Sequence, residues 1–78
     1  MYYTYVLRSL NDDKFYVGYT EDLRKRYNEH SRGLVDATKG RRLLELVYYE
    51  ACKDKNKALE RERYFKTGFG RRFLINRV

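Results

Sequence analysis

A basic side chain and an imidazole are spaced so that both would face the interior of this chain. Arg26 and His30 are four residues apart, so a helix places them on one side, together with the apolar Leu23. His30 is the only histidine in the sequence. An arginine or a histidine at the edge of a core costs free energy unless a partner or a ligand satisfies it. This pair is therefore the first candidate for a functional site.

An acidic side chain occupies a similar inward position on a later helix. With Ala58 at zero and about 100° per residue, Phe65 falls at about 340° and Glu62 at about 40°, inside the buried stripe. Glu60 falls at about 200° and should be a solvated surface residue. Carboxylates that face inward are rarely left unpaired, so Glu62 is the acidic candidate.

Tyrosines on two neighbouring strands add phenols to these groups. Residues 2–9 and 14–19 are rich in β-branched and aromatic types and predict an antiparallel hairpin. Alternation along a strand puts Tyr5 on one face, and it puts Tyr16 on the same face as Gly18. Gly18 leaves a place without a side chain, where a backbone or a phosphate could approach closely.

A cation, an imidazole, phenols and one carboxylate together suit phosphodiester chemistry. We expect the side chains that carry these groups to converge at one edge of the sheet; they are Tyr5, Tyr16, Arg26, His30 and Glu62. Each also has a structural interpretation, because tyrosine is common in strands and a helical histidine is often a satisfied core residue. Arg26 and Glu62 could also form an ion pair between helices. Spacing alone leaves these alternatives open.

The elements that must position these residues are predicted in the order ββαβα, followed by a short tail. Strands are predicted at residues 2–9, 14–19 and 43–50, and helices at residues 21–32 and 55–67. The basic tail, residues 70–78, would add one or two helical turns. We therefore expect a single α+β domain over residues 1–78, with a small, mainly antiparallel three-stranded sheet flanked by helices.

Capping residues predict where the two helices begin and end. Thr20 would cap the first helix, and Gly33 would terminate it in the left-handed region. Asp54 would cap the second helix, and Gly68 would terminate it.

The charge of the chain favours an anionic partner. Its 78 residues include 18 Lys and Arg against 11 Asp and Glu, a formal charge of +7. On a domain of this size such an excess indicates nucleic acid, although a merely soluble basic surface is the alternative. There is no apolar run long enough for a signal peptide or a membrane span, so we expect a cytoplasmic protein with no membrane partner. A protein partner or a homo-oligomer is not indicated.

Taken together, these segments resemble the GIY-YIG nucleases, a family that includes homing endonucleases, restriction enzymes and a DNA-repair incision subunit. The two named motifs correspond to Tyr3–Thr4–Tyr5 and Tyr16–Val17–Gly18. The later helices match at Asp22–Leu23, Arg26, His30, Arg61–Glu62 and Lys66. The chain looks most like the short stand-alone (UPF0213-like) members. It departs from the family name at Tyr3–Thr4, where Gly–Ile would stand, but the tyrosine that matters is present.

The resemblance implies a divalent-metal-dependent endonuclease in repair or recombination. We expect DNA, including structured or damaged DNA, to be its substrate in preference to RNA, which stays open as an alternative. Glu62 would be the one protein ligand of a single Mg²⁺ or Mn²⁺ ion. Arg26 would bind the scissile phosphate, and Tyr16 would hydrogen-bond the phosphate or a water. Tyr5 would orient or deprotonate the attacking water, for which its pKa must be lowered by nearby positive charge. His30 is the rival base or the relay for Tyr5.

Exposed basic residues would contact the phosphates of a nucleic acid without reading bases. The candidates are Lys39, Arg41, Arg42, Lys66, Arg71 and Arg72. The alternative function is a non-catalytic nucleic-acid-binding module of the same fold. A protein-interaction domain is a third, weaker interpretation.

Overall fold

Within residues 1–40 and 43–78, which the computed structural model describes, the chain forms three strands and three helices in the order ββαβαα. The strands are β1 (Tyr2–Ser9), β2 (Phe15–Thr20) and β3 (Leu44–Cys52). The helices are α1 (Leu23–Ser31), α2 (Lys55–Phe65) and α3 (Gly68–Ile75). The α+β class is confirmed, and the basic tail forms α3. None of these helices, in the described part of the chain, is long and apolar enough to cross a membrane.

The sheet has the strand order β2-β1-β3, and both ladders are antiparallel. A tight turn joins β1 to β2, with Asp13 at a φ of 59° and the Ser9 amide donating to the Lys14 carbonyl at 3.0 Å. Because β1 lies in the centre, its residues 3–8 have a neighbour on both sides. Tyr5 faces Gly18 on β2 and Tyr49 on β3.

The helices cover the two faces of the sheet separately. One face packs Tyr5 and Leu7 beneath Leu23 and Tyr27 of α1. The other face packs Val6 and Val17 beneath Phe65 of α2 and Leu74 of α3. Alternation along β1 therefore sends successive side chains to opposite layers, and Tyr5 belongs to the layer of α1.

An irregularity in the β1–β3 ladder changes which side chains of β3 face each layer. Val6 pairs with Tyr48, whereas the next residue, Leu7, pairs with Leu46, so Val47 has no direct partner on β1. Val47 and Tyr48 both pack against the core cluster of α2 and α3. This bulge lets one strand supply two adjacent side chains to the same core.

The helix termini confirm two of the predicted caps and correct the other two. Asp22, not Thr20, caps α1, because its carboxylate accepts from the Lys25 amide at 3.1 Å. Asp54 caps α2 as predicted, and Gly33 follows α1 with a φ of 73°. Gly68 was expected to terminate α2, but it is the first residue of α3, which is capped by Thr67.

Candidate active site

A buried hydrogen bond joins a phenol of the central strand to the imidazole of α1. Tyr5 Oη and His30 Nε2 lie 2.8 Å apart. The two residues are 1% and 2% exposed, so water does not compete for this contact. The strand and the helix that the sequence assigned to Tyr5 and His30 thus bring their polar atoms together in the layer between α1 and the sheet.

The missing side chain of Gly18 makes room for the ring of Tyr5. A Cβ atom built on Gly18 would overlap Cζ and Oη of Tyr5. The expectation that a phosphate or a backbone approaches at Gly18 is therefore wrong, because the cross-strand tyrosine fills that space. Gly18 contributes to the site indirectly, because its missing side chain leaves room for the Tyr5 ring.

His30 uses both of its ring nitrogens. Its Nδ1 lies 2.6 Å from Oγ1 of Thr38, a residue with no exposed surface in the loop after α1. Burial is the largest cause that lowers the pKa of His30 below 6.5; the nearby Arg26 charge adds to it, and Glu29 opposes it. The ring is therefore neutral near pH 7. Thr38 did not emerge from the sequence, where nothing distinguishes it from the other residues of the loop after α1.

Arg26 is the second polar partner of the phenol. Its interaction with the phenol of Tyr5 is the largest cause that raises the pKa of Arg26. Its Nη1 also donates to Glu29 Oε1 at 3.2 Å. The alternative of an Arg26–Glu62 ion pair is wrong, since Arg26 pairs along its own helix. About a third of the guanidinium side chain, 37%, remains exposed and can meet an anion.

The environment keeps the Tyr5 phenol protonated. Burial is the largest cause and raises its pKa above 10.0, the Arg26 hydrogen bond lowers it, and the charges of Tyr16 and Glu62 raise it. A phenol that acts as a base at neutral pH needs nearby positive charge to lower its pKa. Arg26 does act in that direction, but burial outweighs it.

Glu62 lies on the opposite layer, yet its carboxylate is close enough to raise the pKa of Tyr5. Its side chain is 22% exposed, and Oε2 accepts a hydrogen bond from Lys66 Nζ at 3.2 Å. The prediction that Glu62 faces inward and is paired is confirmed, with Lys66 as the partner. Glu60 is exposed, as expected.

Tyr16 stands beside the same pair of rings. Its ring centroid lies 5.0 Å from that of His30 and 6.4 Å from that of Tyr5. Unlike Tyr5 it is only partly buried, so its phenol belongs to the rim of the cluster. Four of the five side chains expected to converge, Tyr5, Tyr16, Arg26 and His30, thus lie together in the α1 layer. Glu62, on α2, is related to them through the effect of its charge on Tyr5.

The donor groups of this neighbourhood fit a weakly held hard cation. In the parts of the chain that the structure describes, no group of three His, Cys, Asp or Glu side chains could cage a metal ion. Glu62 is instead a single, partly exposed carboxylate. Mg²⁺ keeps several of its waters and accepts one or two carboxylates, so Glu62 suits it once Lys66 releases the oxygen.

Comparison with known proteins agrees with the order of the elements. The family model of the GIY-YIG catalytic domain matches residues 1–76. The chain belongs to the GIY-YIG family. It is a nuclease family, and its domain implies binding of nucleic acid.

Two relatives of this GIY-YIG domain illustrate how far the similarity extends. The chain is 42% identical to a UPF0213 protein of Bacillus pumilus over 67 residues, which are 85% of this chain and 67% of the relative. It is 39% identical to a UPF0213 protein of Clostridium perfringens, covering 85% of this chain and 71% of that protein.

A solved structure shares the fold. The solution NMR structure of the UPF0213 protein BH0048 from Bacillus halodurans is 30% identical, with a TM-score of 0.59. The match covers 97% of this chain and 84% of that one. The predicted architecture is therefore that of a UPF0213 member of the GIY-YIG family.

The basic residues predicted to contact phosphates lie on different parts of this GIY-YIG domain. Lys66 is next to the site, where it holds Glu62. Lys39 is exposed in the loop after α1, with Asp36 at 3.7 Å. Arg71 and Arg72 are exposed on α3, in the layer opposite α1. The predicted contacts of Arg41 and Arg42 lie outside the described residues.

Arg61, which precedes the acidic candidate in the second helix motif, has a structural role. Its Nε and Nη2 donate to the two carboxylate oxygens of Glu50 on β3, both at 2.8 Å. Its guanidinium lies 4.6 Å from the centroid of the Phe65 ring. The paired and stacked Arg61 attaches α2 to the sheet.

Proposed function

We propose that this GIY-YIG domain is a divalent-metal-dependent endonuclease that hydrolyses phosphodiester bonds in DNA. The observation that carries the proposal is the buried phenol of Tyr5. It is held between His30 Nε2 at 2.8 Å and the guanidinium of Arg26, within the electrostatic reach of Glu62. A tyrosine that only filled the core would need neither an imidazole nor a guanidinium beside its hydroxyl.

Arg26 is the group in this cluster best suited to bind the substrate phosphate. In hydrolysis a water oxygen forms a bond to phosphorus, the bond to one ester oxygen breaks, and negative charge grows on the phosphoryl oxygens. A guanidinium stabilises that charge with short, charge-assisted hydrogen bonds. Arg26 is partly exposed, whereas Tyr5 is not, so phosphate binding by Arg26 would be the event that opens the phenol to the attacking water.

The proton of that water must be taken up as the oxygen attacks. Tyr5 by itself offers almost no phenolate at neutral pH, because burial raises its pKa. His30 is neutral at pH 7, because burial lowers its pKa, and it touches the phenol directly. The phenol would accept the proton of the water while it passes its own hydrogen to His30, which becomes the imidazolium. The proton later returns to solvent or to the released ester oxygen.

The bound cation would be Mg²⁺ or Mn²⁺, held by Glu62 after Lys66 has released it. Such an ion supplies charge neutralisation and lowers the pKa of a bound water. Lys66, once free, would sit at the site as a cation for the nucleic-acid backbone. Tyr16, at the partly exposed rim, would hydrogen-bond the phosphate or a water.

The test is a cleavage assay of the purified chain on a panel of labelled single-stranded, duplex and branched DNA and matching RNA. Reactions contain Mg²⁺ or Mn²⁺, and parallel reactions contain a chelator. We expect strand breakage of DNA that requires the metal. Breakage that continues in the chelator, or no breakage of any substrate with either metal, contradicts the proposal.

One observation favours a second function, a nucleic-acid-binding module without catalysis. The ammonium of Lys66 already neutralises the carboxylate that would hold the metal. If that pair persists with nucleic acid bound, the charge of +7 still supplies affinity but no cleavage follows. Salt-sensitive binding without metal-dependent breakage supports this function.

A further inference from the structure

Three buried residues from separate elements form a continuous line of polar contacts. Thr38 Oγ1 lies 2.6 Å from His30 Nδ1, and His30 Nε2 lies 2.8 Å from Tyr5 Oη. The exposed fractions of Thr38, His30 and Tyr5 are 0%, 2% and 1%. Since water is excluded along this line, the hydrogens must be distributed among these groups and their protein partners.

The partners of the phenol favour one direction of the hydrogen bonds. The Arg26 guanidinium interacts with the phenol of Tyr5, and its N–H groups can only donate. Of these two side chains beside the phenol, only His30 can therefore receive its hydrogen. A neutral imidazole that accepts at Nε2 carries its own hydrogen on Nδ1, which then donates to Thr38.

We propose that Thr38 is a positioning residue that holds His30 as the Nδ1–H tautomer, with the Nε2 lone pair directed at Tyr5. A partner on the far nitrogen is the usual device that fixes which nitrogen of a functional histidine is free. The assignment of the tautomer does not depend on the proposed reaction. Its consequence for cleavage rests on the proposed function, in which Nε2 takes the phenol hydrogen.

The loop after α1 is built to hold this hydroxyl in place. The Thr38 amide donates to the Val35 carbonyl at 3.0 Å, closing a turn. The side chain of Val35 is itself buried, at 8% exposure, and anchors the turn against the core. Of residues 34–39, Val35 and Thr38 are buried and the other four are exposed.

The single histidine makes the tautomer directly measurable. In long-range ¹H–¹⁵N spectra of the wild-type protein at neutral pH, only the His30 ring gives imidazole signals. We expect Nδ1 at the protonated position and Nε2 at the unprotonated position. A wild-type spectrum with the hydrogen on Nε2 overturns the proposal, whether or not the protein cleaves nucleic acid.

Thr38→Val removes the acceptor while keeping the shape of the side chain. We expect its spectrum to move toward the Nε2–H tautomer and its cleavage rate to fall by about 10- to 100-fold, as when the orienting partner of a functional imidazole is lost. Thr38→Ser keeps the hydroxyl and should restore both. Unchanged His30 signals in Thr38→Val overturn the proposal. If the valine variant does not fold, Thr38→Ala removes the same acceptor.

The matched control is Thr4→Val. Thr4 is also a buried threonine, at 1% exposure, but its hydroxyl donates to the Ala58 carbonyl at 2.7 Å. This variant should lose stability without changing the His30 tautomer. If Thr4→Val shifts the ring signals as far as Thr38→Val does, the effect is a general response to core substitution and the proposal fails. If the wild type has the expected tautomer but cleaves nothing, the proposed function fails while the assignment of Thr38 stands.

Discussion

The ring of Tyr5 lies against Gly18, the residue that faces it across the β1–β2 ladder. The two named motifs of the family therefore meet at one point, where a tyrosine of the first needs the glycine of the second. This contact packs the phenol ring against β2, and the phenol oxygen interacts with His30 and Arg26.

Gly18→Ala should destabilise the protein and abolish cleavage. The new methyl would occupy the position of the Tyr5 ring, and overpacking a core typically costs about 1–3 kcal/mol. Urea unfolding gives the free energy, and the cleavage assay gives the activity. Gly68→Ala is the control, because its methyl would meet open space at the start of α3. If both variants are as stable and as active as the wild type, the Tyr5–Gly18 packing does not matter as we describe.

Arg26→Ala should lower the cleavage rate by about 10²- to 10³-fold, the usual effect of removing one donor to a developing oxyanion. Arg24→Ala removes the same charge from an exposed position of α1 and should have little effect on the rate. Single-turnover rates with saturating DNA separate this loss from weaker binding. Equal rates for the two variants would show that Arg26 acts only as part of the overall charge.

The pKa of His30 should lie below 6.5, because burial and the Arg26 charge disfavour the imidazolium. Above pH 6.5 the ring is neutral in both the folded and the unfolded chain, and its contribution to stability is complete. As the pH falls below 6.5, the unfolded chain takes up a proton that the folded chain does not. The free energy of unfolding therefore declines until the pH reaches the folded pKa.

Two measurements check this pH dependence. NMR titration of the His30 ring gives the folded pKa, and urea unfolding at several pH values gives the slope. In His30→Gln the slope over the same interval should disappear. A ring that titrates above 6.5, or a wild-type protein that becomes more stable over this interval as the pH falls, contradicts the account.

Arg61→Lys should lower the free energy of unfolding by about 1 kcal/mol. Lysine keeps the charge but loses the two-pronged contact with Glu50 and the stacking on Phe65. The estimate is modest because the ion pair is partly exposed. Arg63→Lys, at an exposed position of the same helix, is the control for urea unfolding. If the free energy of unfolding changes negligibly in both variants, Arg61 does not attach α2 to the sheet as we describe.

Much of the fold follows from patterns that are local in the sequence. The β-branched and aromatic residues of Tyr2–Ser9 predict a strand, and the spacing along α1 predicts that His30 faces the core with Arg26 at its border. Both predictions depend only on local sequence; the strand is present, His30 is buried and Arg26 is partly exposed. The inward direction of Glu62 follows from the same reasoning about α2.

What the sequence did not predict depends on contacts between distant segments. Thr38 touches His30 only after the loop folds back against α1, and no periodicity marks a turn residue. The packing of the Tyr5 ring against Gly18 depends on the register of β1 and β2, and side-chain alternation does not determine that register. The pairing of Glu62 with Lys66, rather than with Arg26, reflects that the two helices lie on opposite faces of the sheet.

The most direct test of the account compares Glu62→Gln with Glu60→Gln in metal-dependent DNA cleavage. Both substitutions remove one negative charge from α2, but the charge of Glu62 raises the pKa of Tyr5, whereas Glu60 is exposed. The account predicts that Glu62→Gln abolishes cleavage while its fold and DNA binding remain roughly as in the wild type, and that Glu60→Gln cleaves normally. Wild-type cleavage by Glu62→Gln, purified free of other nucleases, would contradict it.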